Sequence, residues 1–271
     1  MKFLNTEVNN FEGAFRGLRN PLESWDKSDS KFGLCDINYC ENDYFVALLW
    51  TEATTDYTFE DNYEEWANSL DQWEDWLRKN GILKYQEHVM EYAFLGPKDI
   101  DLAHRMIKAG SSDSKFLRQI NVSVDITAPL YWWKEMDQYK IGTVTNSTST
   151  MHKLATTPIT LECFETDDLE DVIIEESSDP TFVVTSNYAA NTFIIWLEEL
   201  RKKYLETKDK RYWKELIRWL PESWLQTRTW TANYAILRNI YSQRKNHKLS
   251  EWHQFCKWVE KLPYANDLII Y

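Results

Sequence analysis

DIDLAHRMIKAGSSDSKFLRQINVSVDITAPLYWWKEMDQYKIGTVTNSTSTMHK, residues Asp99 to Lys153, decides the fold. Leu102, Met106 and Ile107 follow helical spacing, and Gly110 stands where a helix needs a left-handed exit. From Gln119 to Ile126 the residues alternate. Ile120, Val122, Val124 and Ile126 fall on one face and Asn121, Ser123 and Asp125 on the other, the period of a strand with one face in a core. Thr127 is a candidate cap and Pro129 is tolerated in a first turn, so Leu130 to Tyr139 is predicted to form a second helix that Gly142 ends. A polar loop follows, with Thr143, Thr145, Asn146, Ser147, Thr148, Ser149 and Thr150 flanked by Lys140, His152 and Lys153. Hydroxyls and backbone N–H groups donate to anionic oxygens and Lys supplies charge, so the loop suits a phosphate. The same composition also describes a solvated Ser/Thr loop.

Upstream, residues 2 to 8 read as a short strand, and Asn10 offers a cap to a helix through Leu18. Arg16 and Arg19 lie about one turn apart, placed either to grip one anion or to complement the helix dipole. Between residues 35 and 97 the composition turns acidic and aromatic. A strand is predicted at 45 to 51, and a helix in which Trp66, Leu70, Trp73 and Leu77 form one stripe, with Trp76 widening it. Such a stripe reads as core or subunit interface.

Downstream, Thr157 to Glu165 has a strand pattern, and seven carboxylates crowd the thirteen positions from Asp167 to Asp179, an acidic loop without metal-ligand spacing. Helices are predicted at Ala190 to Glu206, at Tyr212 to Leu220 before Pro221, and at Thr231 to Asn246 with Tyr234, Leu237, Ile240 and Tyr241 on one stripe. Ser250 then caps a last helix with Trp252, Phe255, Cys256 and Val259 facing inward. The fold class is therefore α/β (α+β), a central sheet packed by helices with a helical C-terminal half.

The chain of 271 residues can bury a substantial core, and 43% of it is apolar. Its net charge of −12 speaks against indiscriminate binding to duplex DNA or an anionic membrane, while leaving room for a local cationic pocket. No apolar run is long enough for a membrane span and the start is not signal-like, so a cytoplasmic protein is expected. Cys35, Cys40, Cys163 and Cys256 lack zinc-ligand pairing and are expected as reduced thiols, with no metal.

Asn146-Ser147-Thr148-Ser149-Thr150-Met151-His152 resembles the second half of the signature of flavin-dependent thymidylate synthases (ThyX), Asn-x-x-Ser-x-Arg-Tyr after an Arg-His-Arg and a Ser. Here Gln138-Tyr139-Lys140 stands at Arg-His-Arg, Thr143 lies near the first Ser, and Met151-His152 replaces Arg-Tyr. A second likeness is Tyr241-Ser242-Gln243-Arg244 followed by Leu249-Ser250-Glu251-Trp252, where the family has a Leu-x-x-Arg-like helix end and then Gln-x-Glu-Ile-Arg. A third is the early Arg and Ser, matched by Arg19 with Ser24 and Ser28. The likeness covers roughly 10 to 30, 99 to 153 and 228 to 266, which makes the chain one ThyX-like domain with an insertion at 35 to 97.

The resemblance implies a homotetramer that binds FAD at its interfaces. It converts dUMP to dTMP with methylene-tetrahydrofolate as carbon donor and NADPH as reductant, and uses no protein nucleophile. It places Tyr139, Lys140 and Asn146 on the cofactor, and Arg19, Lys140, Thr143, Ser149, His152 and Arg244 on the nucleotide. The departures carry weight as well, since only Lys140 keeps a charge at Arg-His-Arg and Lys is a point charge without a bidentate fork. They motivate a second expectation, a non-catalytic ThyX-fold protein that binds a nucleotide or a protein partner. A third is an accessory α/β protein with no small ligand.

Overall fold

A computed structural model of the chain describes residues 1–36, 84–86, 89–167, 173–176 and 183–271. The strand expected at 45 to 51, the helix carrying Trp66, Leu70, Trp73 and Leu77, and most of the expected insertion lie outside the described residues. The chain divides into two units, Met1–Leu4 with Asp125–Trp230 and Asn5–Val124 with Thr231–Tyr271.

A four-stranded sheet has the order β1 (Lys2–Asn9), β5 (Asn121–Pro129), β9 (Leu225–Asn233), β6 (Val144–Ser147). The alternation in β5 is realised, with Ile120, Val122, Val124 and Ile126 at most 1% exposed. Its other face carries a polar ladder. The Thr127 and Thr227 hydroxyls lie 2.8 Å apart, Thr229 donates to Asp125 and Thr231 to Ser123, an antiparallel register of β5 against β9.

Several boundaries differ from expectation. Thr127 belongs to that ladder and caps nothing; β5 continues to Pro129, whose extended ψ of 153° places it at the N-cap of α3 (Leu130–Met136). The polar loop is the exposed strand β6 followed by one helical turn, α4 (Thr150–Lys153). Thr157 to Glu165 forms no strand, only a 3₁₀ turn at Leu161–Cys163 and an isolated bridge from Phe164 to Trp224. The helix predicted from Thr231 begins only at Tyr234, because Leu225–Asn233 is β9.

In the first unit, α5 (Ser186–Thr207) and α6 (Lys210–Arg218) pack around Leu154, Ile159, Phe164, Leu197 and Leu216. The buried Arg201 pairs with Glu198 at 2.6 Å and donates to the Ala155 carbonyl, tying α5 to the end of the polar segment. A two-stranded hairpin, β7 (Ile173–Glu176) with β8 (Val183–Thr185), precedes α5.

In the second unit, α1 (Phe11–Arg19), α2 (Pro97–Ala109), α7 (Tyr234–Arg244) and α8 (Ser250–Val259) surround a core that includes Phe15, Leu117, Tyr234, Trp252 and Phe255, all under 2% exposed. A small sheet of order β2 (Lys31–Asp36), β4 (Val89–Phe94), β3 (Lys84–Gln86) leads into α2. Gly96 is required there, since a Cβ would sit 2.6 Å from the Asp29 backbone. Asp29 caps α2 by accepting from the Lys98 and Asp99 N–H groups.

Asp99 is fully buried and paired with Arg19 at 2.6 Å, and it accepts further bonds from Ser28 and Ser30. Burial raises its carboxyl pKa, but the bonds from Ser28, Ser30 and Arg19 outweigh it and hold the group below the usual carboxylate range. Asp99→Asn leaves Arg19 buried without its counter-ion. It is expected to cost about 3–5 kcal/mol in denaturant unfolding. Because the folded pKa is depressed, the stabilisation is complete above the unfolded carboxylate value of about 3.9 and is lost as pH falls through the folded value. Acid titration of stability should therefore be flatter in Asp99→Asn than in the parent chain.

Candidate functional site

The polar ribbon from Tyr139 to His152 belongs wholly to the first unit and is held from beneath by β9. Trp133 of α3 donates its indole N–H to the Gln226 carbonyl at 3.0 Å. The Gln226 side chain, 7% exposed, donates to the Thr148 carbonyl and accepts from Arg228 Nε. Arg228 lies over the Trp133 ring, 4.4 Å from its centroid, and pairs with Asp137 at 2.8 Å. The Thr148 N–H donates to the Thr227 carbonyl. The β9 side chains thus fix both the end of α3 and the far end of the ribbon.

Along the ribbon, Gly142 takes φ of 73°, a turn that suits glycine. Thr143 gives its hydroxyl hydrogen to the Tyr139 carbonyl. Ser149 caps α4 by accepting the His152 N–H at 3.3 Å, which leaves its own hydroxyl hydrogen to donate. Lys140, Asn146 and His152 are exposed. Lys140 has no carboxylate within ion-pairing distance and the Asn146 side chain makes no hydrogen bond among the described residues. The structure therefore presents Lys140, Asn146, Ser149 and His152 on one continuous segment as donors to an anionic or carbonyl-rich ligand.

The remaining expected positions lie in the second unit. Arg19 is buried and committed to Asp99 and to the Lys27 carbonyl, while Arg16 is exposed and pairs with Glu12. The two arginines do not act together on one anion. The Arg244 guanidinium stands 4.5 Å from the centroid of Trp252, and Glu251 is 4% exposed.

Sequence reasoning missed Arg228 because it missed β9. The signal present was the alternation of Thr227, Thr229 and Thr231 with Trp230 and Ala232. It also missed a cleft in the second unit, of about 420 Å³, whose walls carry Arg118, Arg238 and Lys245. Among the described residues there is no cluster of side chains fit to hold a metal, and no helix is long and apolar enough to cross a membrane. Cys163 and Cys256 are unpaired thiols, and burial pushes Cys256 up to about 11.

No protein-family model matches the chain, and no curated protein matches it in sequence. Solved structures do. The flavin-dependent thymidylate synthase ThyX from Helicobacter pylori, complexed with FAD and dUMP, superposes over 99% of this chain and 98% of its own, with a TM-score of 0.54 and 17% identity. Another structure of Helicobacter pylori ThyX with FAD and dUMP gives 0.55 at 15% identity, covering 99% and 97%. A UMP/dUMP methylase, PolB from Streptomyces cacaoi, bound with 5-Br UMP, gives 0.46 at 14% identity over 64% of this chain and 82% of its own. The fold is that of the flavin-dependent thymidylate synthases, as the motif order implied.

Gln226 is the joint between strand and ribbon. Gln226→Ala leaves the Thr148 carbonyl and Arg228 Nε each short of a partner, a loss of about 1 kcal/mol or more. Amide exchange in residues 144–152 should accelerate about tenfold or more, with little change in the second unit.

Proposed function

We propose that the chain is a nucleotide-methylating flavoprotein of the ThyX kind, acting on dUMP or a closely similar uridylate. One observation carries this reading: the shared fold extends over essentially the whole chain, and the residues that match the ThyX signature form the donor ribbon. The neighbours of known structure are complexed with FAD and dUMP.

The residues present fit such ligands. Lys140 supplies an uncompensated cation, and Asn146, Ser149 and His152 supply donors suited to phosphate, ribityl and pyrimidine oxygens. Arg244, held by the Trp252 ring, is the second cation of the reading, and Tyr139 is the ring assigned to the flavin side. Thr143 holds the turn through its bond to Tyr139 more than it offers a donor. Arg19 supports the fold through Asp99, so the phosphate contacts fall to Lys140 and Arg244.

When bound, a reduced flavin would supply hydride and a methylene-folate the carbon, with NADPH restoring the flavin. The chain's own part is positioning and electrostatics. Lys140 offsets phosphate charge, Asn146 and Ser149 fix the orientation of carbonyl and hydroxyl oxygens, and β9 keeps the ribbon rigid. The reading extends to an oligomer of the ThyX kind, in which neighbouring copies complete each site.

Purified protein is expected to retain a visible flavin absorption band after FAD is added and the excess removed, and to form dTMP from dUMP with methylene-tetrahydrofolate and a reductant. Lys140→Ala should lower flavin retention or dTMP formation by about tenfold or more, the worth of a charge-assisted contact. No retained flavin and no dTMP would sink the enzymatic reading and leave the non-catalytic ThyX-fold protein in its place.

A further inference from the structure

Arg228 rises from β9 to the ribbon, and its guanidinium is only partly used. Nε donates to Gln226 Oε1 at 2.9 Å and Nη1 to Asp137 Oδ1 at 2.8 Å, while Nη2 has no acceptor among the described residues. The side chain is 13% exposed, so that nitrogen is largely withdrawn from water with its hydrogens undonated. A charged donor in this state gains more from an anionic acceptor than an exposed one does. The group is also held still. The Trp133 ring covers it at 4.4 Å, and Gln226 and Asp137 fix its direction, so little order has to be imposed when a ligand arrives.

The other arginines of the first unit are placed differently. Arg201, Arg211 and Arg218 each find a carboxylate within three residues along the chain, on Glu198, Asp209 and Glu215. The carboxylate that Arg228 meets is 91 positions away. It belongs to Asp137, the C-cap of α3, and Gln138, Tyr139 and Lys140 follow directly. Two residues along β9, Gln226 holds the Thr148 carbonyl. Arg228 is therefore tied to both ends of the ribbon, to the α3 end through Asp137 and to the Thr148 end through Gln226.

The charge balance at the ribbon calls for such a group. A phosphate monoester carries about two negative charges near neutral pH. Lys140 and Lys153, which flank the hydroxyl-rich stretch, offer ammonium groups, point charges on flexible stems that attract an anion without orienting it. A guanidinium orients as well as attracts, and Arg228 is the arginine whose bonds bring it to the ribbon. Asp137, an exposed carboxylate, both aims that guanidinium and offsets part of its charge.

Resting on the functional reading above, we infer that Arg228 is a phosphate-contacting residue of the same site. Its Nη2 donates to a phosphate oxygen of the bound ligand, Lys140 supplies a second charge, and Asp137 tempers the attraction. The nucleotide and the flavin both carry phosphate, and the chemistry at Arg228 is the same for either.

Equilibrium binding to the whole chain tests this with ligands that differ in phosphate, dUMP against deoxyuridine and FAD against riboflavin. In Arg228→Gln the affinity for a phosphorylated ligand should fall about tenfold or more relative to its unphosphorylated counterpart, the worth of a charge-assisted contact. An arginine that only braces the ribbon would lower both members of a pair alike. A fall in the dUMP ratio places Arg228 on the nucleotide, and a fall in the FAD ratio places it on the flavin; either supports the inference. Should Arg228→Gln not fold, Asp137→Asn decides. Removing the competing carboxylate should raise one of the two ratios about threefold or more, and no rise overturns the inference. Both ratios unchanged in a folded Arg228→Gln overturn this inference alone, whereas a parent chain that binds neither dUMP nor FAD overturns the functional reading and this inference with it.

Discussion

The antiparallel pairing of β5 with β9 is the constraint on which the described structure rests. It joins residues about a hundred positions apart, and its register fixes side chains on both faces together. On one face it buries Val122, Val124 and Ile126 with Trp230 and Ala232; on the other it aligns Ser123, Asp125 and Thr127 against Thr231, Thr229 and Thr227. A slip of one residue would exchange the two faces and place Asp125 among the apolar side chains. The same strand positions Gln226 and Arg228, and through them the donor ribbon. Site geometry is here a consequence of strand register.

That dependence explains what could be read in the sequence. β5 was legible because four branched apolar residues recur at a period of two, and α2, α7 and α8 because their apolar stripes recur at helical spacing. β9 was hidden for the opposite reason. Its inward positions include the buried Gln226 and the half-buried Arg228, polar groups withdrawn from water only because Thr148, Trp133 and Asp137 satisfy them. Those partners lie far off in sequence. β6 was hidden because every residue in it is exposed, so it has no hydrophobic alternation at all.

The candidate site rests on a segment that composition marks out. The hydroxyl-rich segment and its flanking Lys140 stood out by composition, and the order of motifs gave the fold that the solved structures share. Arg19 shows the limit. By spacing, it and Arg16 were equally suited to an anion, and what separates them is Asp99, eighty residues away, together with Ser28 and Ser30. A buried carboxylate with three donors takes the arginine out of the ligand-binding inventory, and no local pattern records that.

Net charge misleads in a similar way. A charge of −12 describes the far field, which opposes anionic polymers and surfaces, but at an ionic strength near 0.15 M that field is screened beyond about 8 Å. Inside a cleft the nearest groups decide. Where carboxylates neutralise most lysines and arginines, as along α5 and α6, the local potential is flat whatever the total. Where Arg118, Arg238 and Lys245 line one recess, with no carboxylate ion pair to any of them among the described residues, the total says little about the charges nearest it.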